Sequence, residues 1–202
     1  MSALHPVNPP VGRLDFVNAQ QETTIILKEK VLSLTGDAFD IKVDPRNGRD
    51  PYPVLKVDPS LLTSKRAFFD MTGNHLFDLK KEHLHLVHEY MKLIDVNGEK
   101  FCEIKKNLKV GFGSKFTITF TQPGGAEQVL VMEGNWRDSV AEIKREGSGE
   151  VCAVVHRKSA FKSLSTFLFD QNTYSVTVAP GVDYAAIAAV CIVFDEWEND
   201  AL

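Results

Sequence analysis

Along most of this chain, apolar and polar positions alternate with a period of two. Lys115 to Thr121 sets Phe116, Ile118 and Phe120 on one face, against lysine and threonines on the other. Thr173 to Val178 repeats the alternation with Tyr174, Val176 and Val178. Successive side chains of a strand point to opposite faces, so this period marks half-buried antiparallel strands. Shorter segments of the same character are Phe39 to Val43, Val54 to Val57, Ala67 to Phe69 and Leu76 to Leu79, and the run from Thr23 to Val31 is rich in β-branched residues. Turn signals separate them at Pro45 to Gly48, Thr72 to Asn74, Val96 to Gly98, Pro123 to Gly125, Gly147 to Gly149 and Gln171 to Asn172. Asn-Gly and Gly-Gly pairs suit the positive φ angles of tight hairpin turns.

The pattern changes only near the C-terminus. Tyr184 to Phe194 carries no charge and no strongly polar group. Pro180-Gly181 breaks the preceding strand, Asp183 is placed to cap a first helical turn, and four alanines favour a thin helix. A helix that is apolar all round is enclosed either by protein or by lipid. A membrane span needs about 20 apolar residues, and this run ends at Asp195-Glu196.

Six hairpins give about twelve strands, and a closed sheet of that size leaves a lumen wide enough for a helix about 10 Å across. The predicted fold is therefore mainly β: a closed antiparallel barrel of about twelve strands around a central hydrophobic C-terminal helix. Closure also removes exposed sheet edges. An open sandwich with the helix on one side would leave a polar stripe on the helix, and this one has none. Residues 1–21 read as an extended, proline-stiffened arm and 22–202 as the barrel domain. Phe161 to Phe169 fits either a short helix or a strand.

Composition adds limits rather than a function. The chain has 202 residues, 25% charged and 44% hydrophobic, as in ordinary globular proteins. A net charge of −4 gives no general attraction to nucleic acid, which is not expected as a partner. The three cysteines are widely spaced and form no CxxC, which suits a reducing compartment. The opening residues have no apolar run of the signal-peptide type. An intracellular protein is expected, cytoplasmic or peripheral to a membrane.

The ending VTVAPGVDYAAIAAVCIVFDEWEND resembles that of the LURP-one-related family, part of the tubby C-terminal-like group. Val182-Asp183-Tyr184-Ala185 and Asp195-Glu196 are its most telling residues. Phe39 to Val57 with the following Asp58, Phe68 to Leu79, Gly134-Asn135-Trp136-Arg137 and Thr173 to Val178 are similar as well. The likeness extends over about residues 22–200. It implies a twelve-stranded barrel around a central helix; the residues themselves carry no catalytic motif, so no enzymatic activity and no cofactor are expected. Tubby-type relatives bind phosphoinositides, phospholipid scramblases belong to the same broad group, and plant relatives are associated with defence. The resemblance thus implies an anionic lipid headgroup, a membrane lipid-transport role, or an unknown protein partner in a regulatory module. The alanine-rich helix and the Glu196-Trp197 tail depart from the family pattern.

The candidate chemistry is sparse. His83 and His85 would share a strand face, with His88 pointing away and Glu89 as a spare carboxylate; a solvated barrel exterior explains them without a metal. Gly111 to Lys115 looks like a phosphate loop but leads into a strand, whereas such a loop needs a helix N-terminus. Cys152 and His156 would lie about 13 Å apart along a strand, too far for a nucleophile and its base. Lys100, Lys105, Lys106, Lys109 and Lys115 fall close together, with Arg157, Lys158 and Lys162 as a second cluster. Outward strand faces often carry lysines. As a binding site, Lys105, Lys106, Lys109 and Lys115 would hold a phosphorylated headgroup as point charges.

Overall fold

The alternation closes into a twelve-stranded antiparallel barrel in sequence order, with β12 returning to β1. The computed structural model describes residues 3–13, 21–29, 39–59, 65–84, 88–107, 114–135, 140–157 and 173–199. The strands are β1 (Thr23–Glu29), β2 (Phe39–Asp44), β3 (Tyr52–Pro59), β4 (Lys65–Asp70), β5 (His75–Leu84) and β6 (His88–Asp95), then β7 (Lys100–Lys106), β8 (Ser114–Thr121), β9 (Glu127–Asn135), β10 (Val140–Arg145), β11 (Val151–Arg157) and β12 (Thr173–Val178). Closure is made by β1, which pairs with β2 from Thr24↔Asp44 to Glu29↔Phe39 and with β12 from Thr23↔Val178 to Lys28↔Thr173. Register shifts at Ile41/Lys42, Phe68/Phe69, Leu93/Ile94 and Ile143/Lys144 supply the local bends that help a sheet curve.

Five of the turn signals become short hairpin connections at one end of the barrel; the sixth, at Gln171–Asn172, lies outside the described residues, as does the Phe161–Phe169 segment. Two of the turns use the same device. Asp70 Oδ1 accepts the Thr72 and Asn74 N–H groups at 2.8 and 2.9 Å, and Asp95 Oδ1 accepts those of Asn97 and Glu99 at 2.9 Å each. Each carboxylate thereby satisfies turn amides that have no ladder partner.

The helix α1 (Tyr184–Asn199) runs along the lumen. Every residue from Ala185 to Phe194 is at most 1% exposed, so its whole circumference is enclosed. It extends beyond the apolar run, and Trp197 is also buried. The inward residues Phe116, Ile118 and Phe120 of β8 and Tyr174, Val176 and Val178 of β12 are buried as the alternation predicts, but Thr173, Ser175 and Thr177 are buried as well, so β12 is covered on both faces rather than half-buried. Bulky wall residues fill the rest of the core, among them the fully buried Phe68 and Phe77, whose rings stack at 4.6 Å. Among the described residues, no helix is long and apolar enough to cross a membrane.

The N-terminal arm is part of this core. Val7 and Val11 are buried, and residues 3–13 form a strap across the end where the helix begins. Val7 N–H donates to Pro180 O at 2.8 Å and Val11 N–H to Gly181 O at 2.9 Å, while Asp183 N–H returns a bond to Val11 O at 2.9 Å. Val11 and Val182 form a parallel bridge. These backbones approach so closely that a Cβ at Gly12 would lie 2.4 Å from Asp183 Cβ, and one at Gly181 2.6 Å from Val7 O.

Candidate functional site

The lysines of β7 and β8 do not share a face. On β7, Cys102 and Ile104 point into the lumen, and Lys106 continues that side. It therefore reaches the helix end: its Nζ donates to Trp197 O at 2.9 Å and lies 6.0 Å from the centroid of Phe116. Lys105 points outward and is 57% exposed, with its Nζ 2.5 Å from Glu103 Oε1. Lys115, 52% exposed, pairs with Glu133 Oε1 at 2.9 Å. Since Lys105 stands opposite Thr117 in the ladder, Lys115 is its diagonal neighbour on the outward face. Lys100 sits at the far end of β7 and bridges to Glu103 Oε2 at 2.9 Å. Burial raises Glu103, but hydrogen bonds from Lys105 and Lys100 outweigh it and hold the carboxyl below its ordinary value. Lys109 lies outside the described residues, as do Lys158, Lys162 and the side chain of Arg157.

Both helix ends are satisfied by side chains. At the start, Asp183 Oδ1 accepts the Ala185 and Ala186 N–H groups at 2.9 and 3.0 Å, as its position predicts for an N-cap. Its Oδ2 accepts the Arg13 N–H at 3.0 Å, which fastens the strap to the same carboxylate. Burial pushes Asp183 up to about 6, partly offset by hydrogen bonds from Ala186, Arg13 and Ala185. At the other end, the negative pole of the helix meets Lys106, and Arg66 Nη1 pairs with Glu196 Oε2 at 2.7 Å. Trp197 stacks on Phe116 at 5.4 Å, and Phe194 meets the same ring edge-on at 4.7 Å. The Glu196-Trp197 tail of the helix is thus packed against Arg66 of β4, Lys106 of β7 and Phe116 of β8.

The other candidates separate in the same way. His85 and the side chains of His83 and His88 lie outside the described residues. Among the described residues, no group of three His, Cys, Asp or Glu could hold a metal. Ser114 and Lys115 of the glycine-rich segment already belong to β8, while Gly111, Phe112 and Gly113 lie outside the described residues. Cys102, Cys152 and Cys191 are free and buried. Burial pushes the Cys152 thiol up to about 11 and the other two up as well. Burial, and then the charge of Arg46, lowers His156. Sequence reasoning missed the turn-end surface, where Tyr52, Met71 and Val96 are exposed. In sequence they read as strand or turn residues, and only their place at the tips marks them.

The described residues form a closed barrel filled by its own C-terminal helix, with an arm across the end where that helix begins. The sequence matches the LURP-one-related family over residues 23–195, and the chain belongs to that family. The strap lies outside the matched range. The chain is similar to Protein LURP-one-related 15 of Arabidopsis thaliana, 24% identical over 195 residues, with 80% of this chain and 88% of that protein covered. It is also similar to a protein of Arabidopsis thaliana known from an X-ray structure, at 16% identity and a TM-score of 0.41, covering 91% of this chain and 95% of that one.

Proposed function

We propose that this chain is a non-enzymatic intracellular binding protein that recognises a protein partner on its outer surface. The observation that carries this reading is the filled lumen: the space where a barrel would hold a ligand is occupied by residues Ala185 to Phe194. The absence of enzymatic activity is supported by the thiols, which are buried and raised where a nucleophile needs the thiolate. Their buried, unpaired state also suits a reducing compartment.

A phosphoinositide or other acidic headgroup is the second reading, favoured by the outward pair Lys105 and Lys115. Both lysines already face carboxylates, Glu103 and Glu133, and Lys106 is spent on the helix end. A headgroup would have to displace those acids, which supports the protein partner instead. A scramblase-like role using the C-terminal helix would require that helix to leave the barrel. Sedimentation with phosphoinositide vesicles tests the choice. At an ionic strength of about 0.15 M the protein is expected to stay in the supernatant. Pelleting that is abolished by Lys105→Glu with Lys115→Glu would replace the protein partner with a headgroup.

A further inference from the structure

The strap is held at few points. Of residues 3–13 only Val7, Val11 and Gly12 are buried, and Pro6, Pro9 and Pro10 have no N–H to donate. The N–H groups of Val7 and Val11 donate to the carbonyls of Pro180 and Gly181. The carbonyls of Pro9, Pro10 and Gly12 accept from Arg145 Nη2 at 2.6 Å, Gln128 Nε2 at 2.9 Å and Gln122 Nε2 at 3.4 Å. A cleft of about 480 Å³ opens beside Gly12 and Arg13, and one of about 610 Å³ beside Pro9 and Pro10. A segment with so little buried surface, bordered by open space, opens at a lower free energy than the barrel it crosses.

Opening uncovers one ionisable group. Asp183 is 1% exposed, and the strap lies directly on it: a Cβ at Gly12 would stand 2.4 Å from Asp183 Cβ, and Arg13 N–H donates to Oδ2 at 3.0 Å. The charged and titratable groups around this carboxyl come from three elements. The strap brings Arg13, whose guanidinium lies 5.5 Å from the centroid of Phe101 and lines a cleft with Asp95, Glu99 and Lys100. β7 brings Cys102 and the helix brings Tyr184; burial and then the charge of Asp183 raise both, so both stay neutral.

Withdrawal of the strap has two opposed effects on Asp183. It removes the Arg13 N–H and the Arg13 charge, which favour the carboxylate. It also admits water, which favours the carboxylate more strongly, since burial is the leading cause that holds Asp183 up to about 6. The bonds from Ala185 and Ala186 and the positive pole of the helix are common to both states. Asp183 therefore holds its proton more tightly beneath the closed strap.

We propose that the strap is a proton-operated latch: proton uptake by Asp183 locks residues 3–13 onto the barrel end, and proton loss loosens them. The sign follows from linkage. Closure gains fully at low pH, where Asp183 is protonated in both states, and gives up that gain as pH rises through about 6. Release bares the carbonyls of Pro180 and Gly181 together with Val7 and Val11. The latch does not depend on what the outer surface of the barrel binds.

Amide hydrogen exchange of the full chain tests it. Rates for Val7, Val11 and Arg13, divided by their intrinsic rates, give the opening constant of the strap at each pH. From about pH 4 to about pH 7.5 this constant is expected to rise at least about tenfold, with a limit of about 100-fold set by the change from 3.8 to about 6. In Asp183→Asn it should be flat. The strap amides should also exchange well ahead of Ala188 in the enclosed helix at every pH. Exchange in step with Ala188 would make the strap an inseparable part of the core and overturn the latch. A flat constant in the wild type, or a rise retained in Asp183→Asn, would overturn it as well. Should Asp183→Asn not fold, the carboxyl carbon shift of Asp183 in the wild type decides: a midpoint near 6 is expected, and one at or below 3.8 would overturn the proposal.

Discussion

Asp183 Oδ2 accepts the Arg13 backbone N–H at 3.0 Å, while Oδ1 of the same carboxylate caps the first turn of the helix. One buried group therefore joins the strap, the helix start and the barrel mouth. Its pKa is raised from 3.8 to about 6, with burial as the leading cause. A carboxyl raised in the folded state binds its proton more readily there than in the unfolded chain. The stability it contributes is therefore fully present below about 3.8 and lost as pH rises through about 6. Two units correspond to roughly 3 kcal/mol. Urea unfolding of wild type and Asp183→Asn from pH 4 to 7 should show the wild type losing about 2–3 kcal/mol relative to the variant. Parallel profiles would remove Asp183 from the pH dependence.

Gly12 tests the closeness of the strap. Its φ is +93° and an added Cβ meets Asp183 Cβ at 2.4 Å, whereas Gly48, at +78°, has nothing within 4 Å. Gly48→Ala should cost about 1 kcal/mol, for left-handed backbone alone. Gly12→Ala should cost about 3 kcal/mol, because the strap cannot withdraw without losing its bonds to Asp183 and Val182's neighbours. Equal losses in chemical denaturation would mean that the strap is not held against the helix.

Lys106 and Lys105 are adjacent in sequence and opposite in role. Lys106→Met keeps the apolar stem and removes the donor to Trp197 O, at a cost of about 1 kcal/mol, or roughly 2–4 °C in Tm. Lys105→Met removes an exposed ion pair and should change stability by less than about 0.5 kcal/mol. A reversed order in thermal melts would place Lys106 outside.

Ala188 and Ala189 point about 100° apart on the helix, and both are fully buried. Ala188→Asp and Ala189→Asp should each lose about 4 kcal/mol or more, from an unpaired charge in the core, and neither should show a cooperative melt near wild type. A near-normal melt for either would put that face of the helix outside the core.

Much of the barrel was legible because its determinants are local. Phe116, Ile118 and Phe120 declare a buried face by spacing alone, and the turn signals mark where the sheet reverses. The enclosed helix followed from the lack of a polar stripe between Tyr184 and Phe194. The candidate site was harder to read. Lys105 and Lys106 look like one basic cluster, yet period-two geometry sends one to solvent and the other to the helix end. The strap was invisible because residues 3–13 join the barrel through their own backbone groups, such as the N–H groups of Val7, Val11 and Arg13 and the carbonyls of Pro9 and Pro10, which leave no side-chain pattern in the arm. Met71 and Val96 gave no signal because exposure at a hairpin tip depends on how the strands close.

The account rests on a helix that stays inside the barrel and leaves recognition to the outside. Hydrogen exchange on the amides of Ala186 to Phe194 measures this directly, with and without vesicles containing phosphoinositide. The enclosed helix predicts exchange only through global unfolding, with protection unchanged by vesicles. Exchange through a local opening well below the global unfolding free energy, or protection lost when vesicles are added, would contradict it.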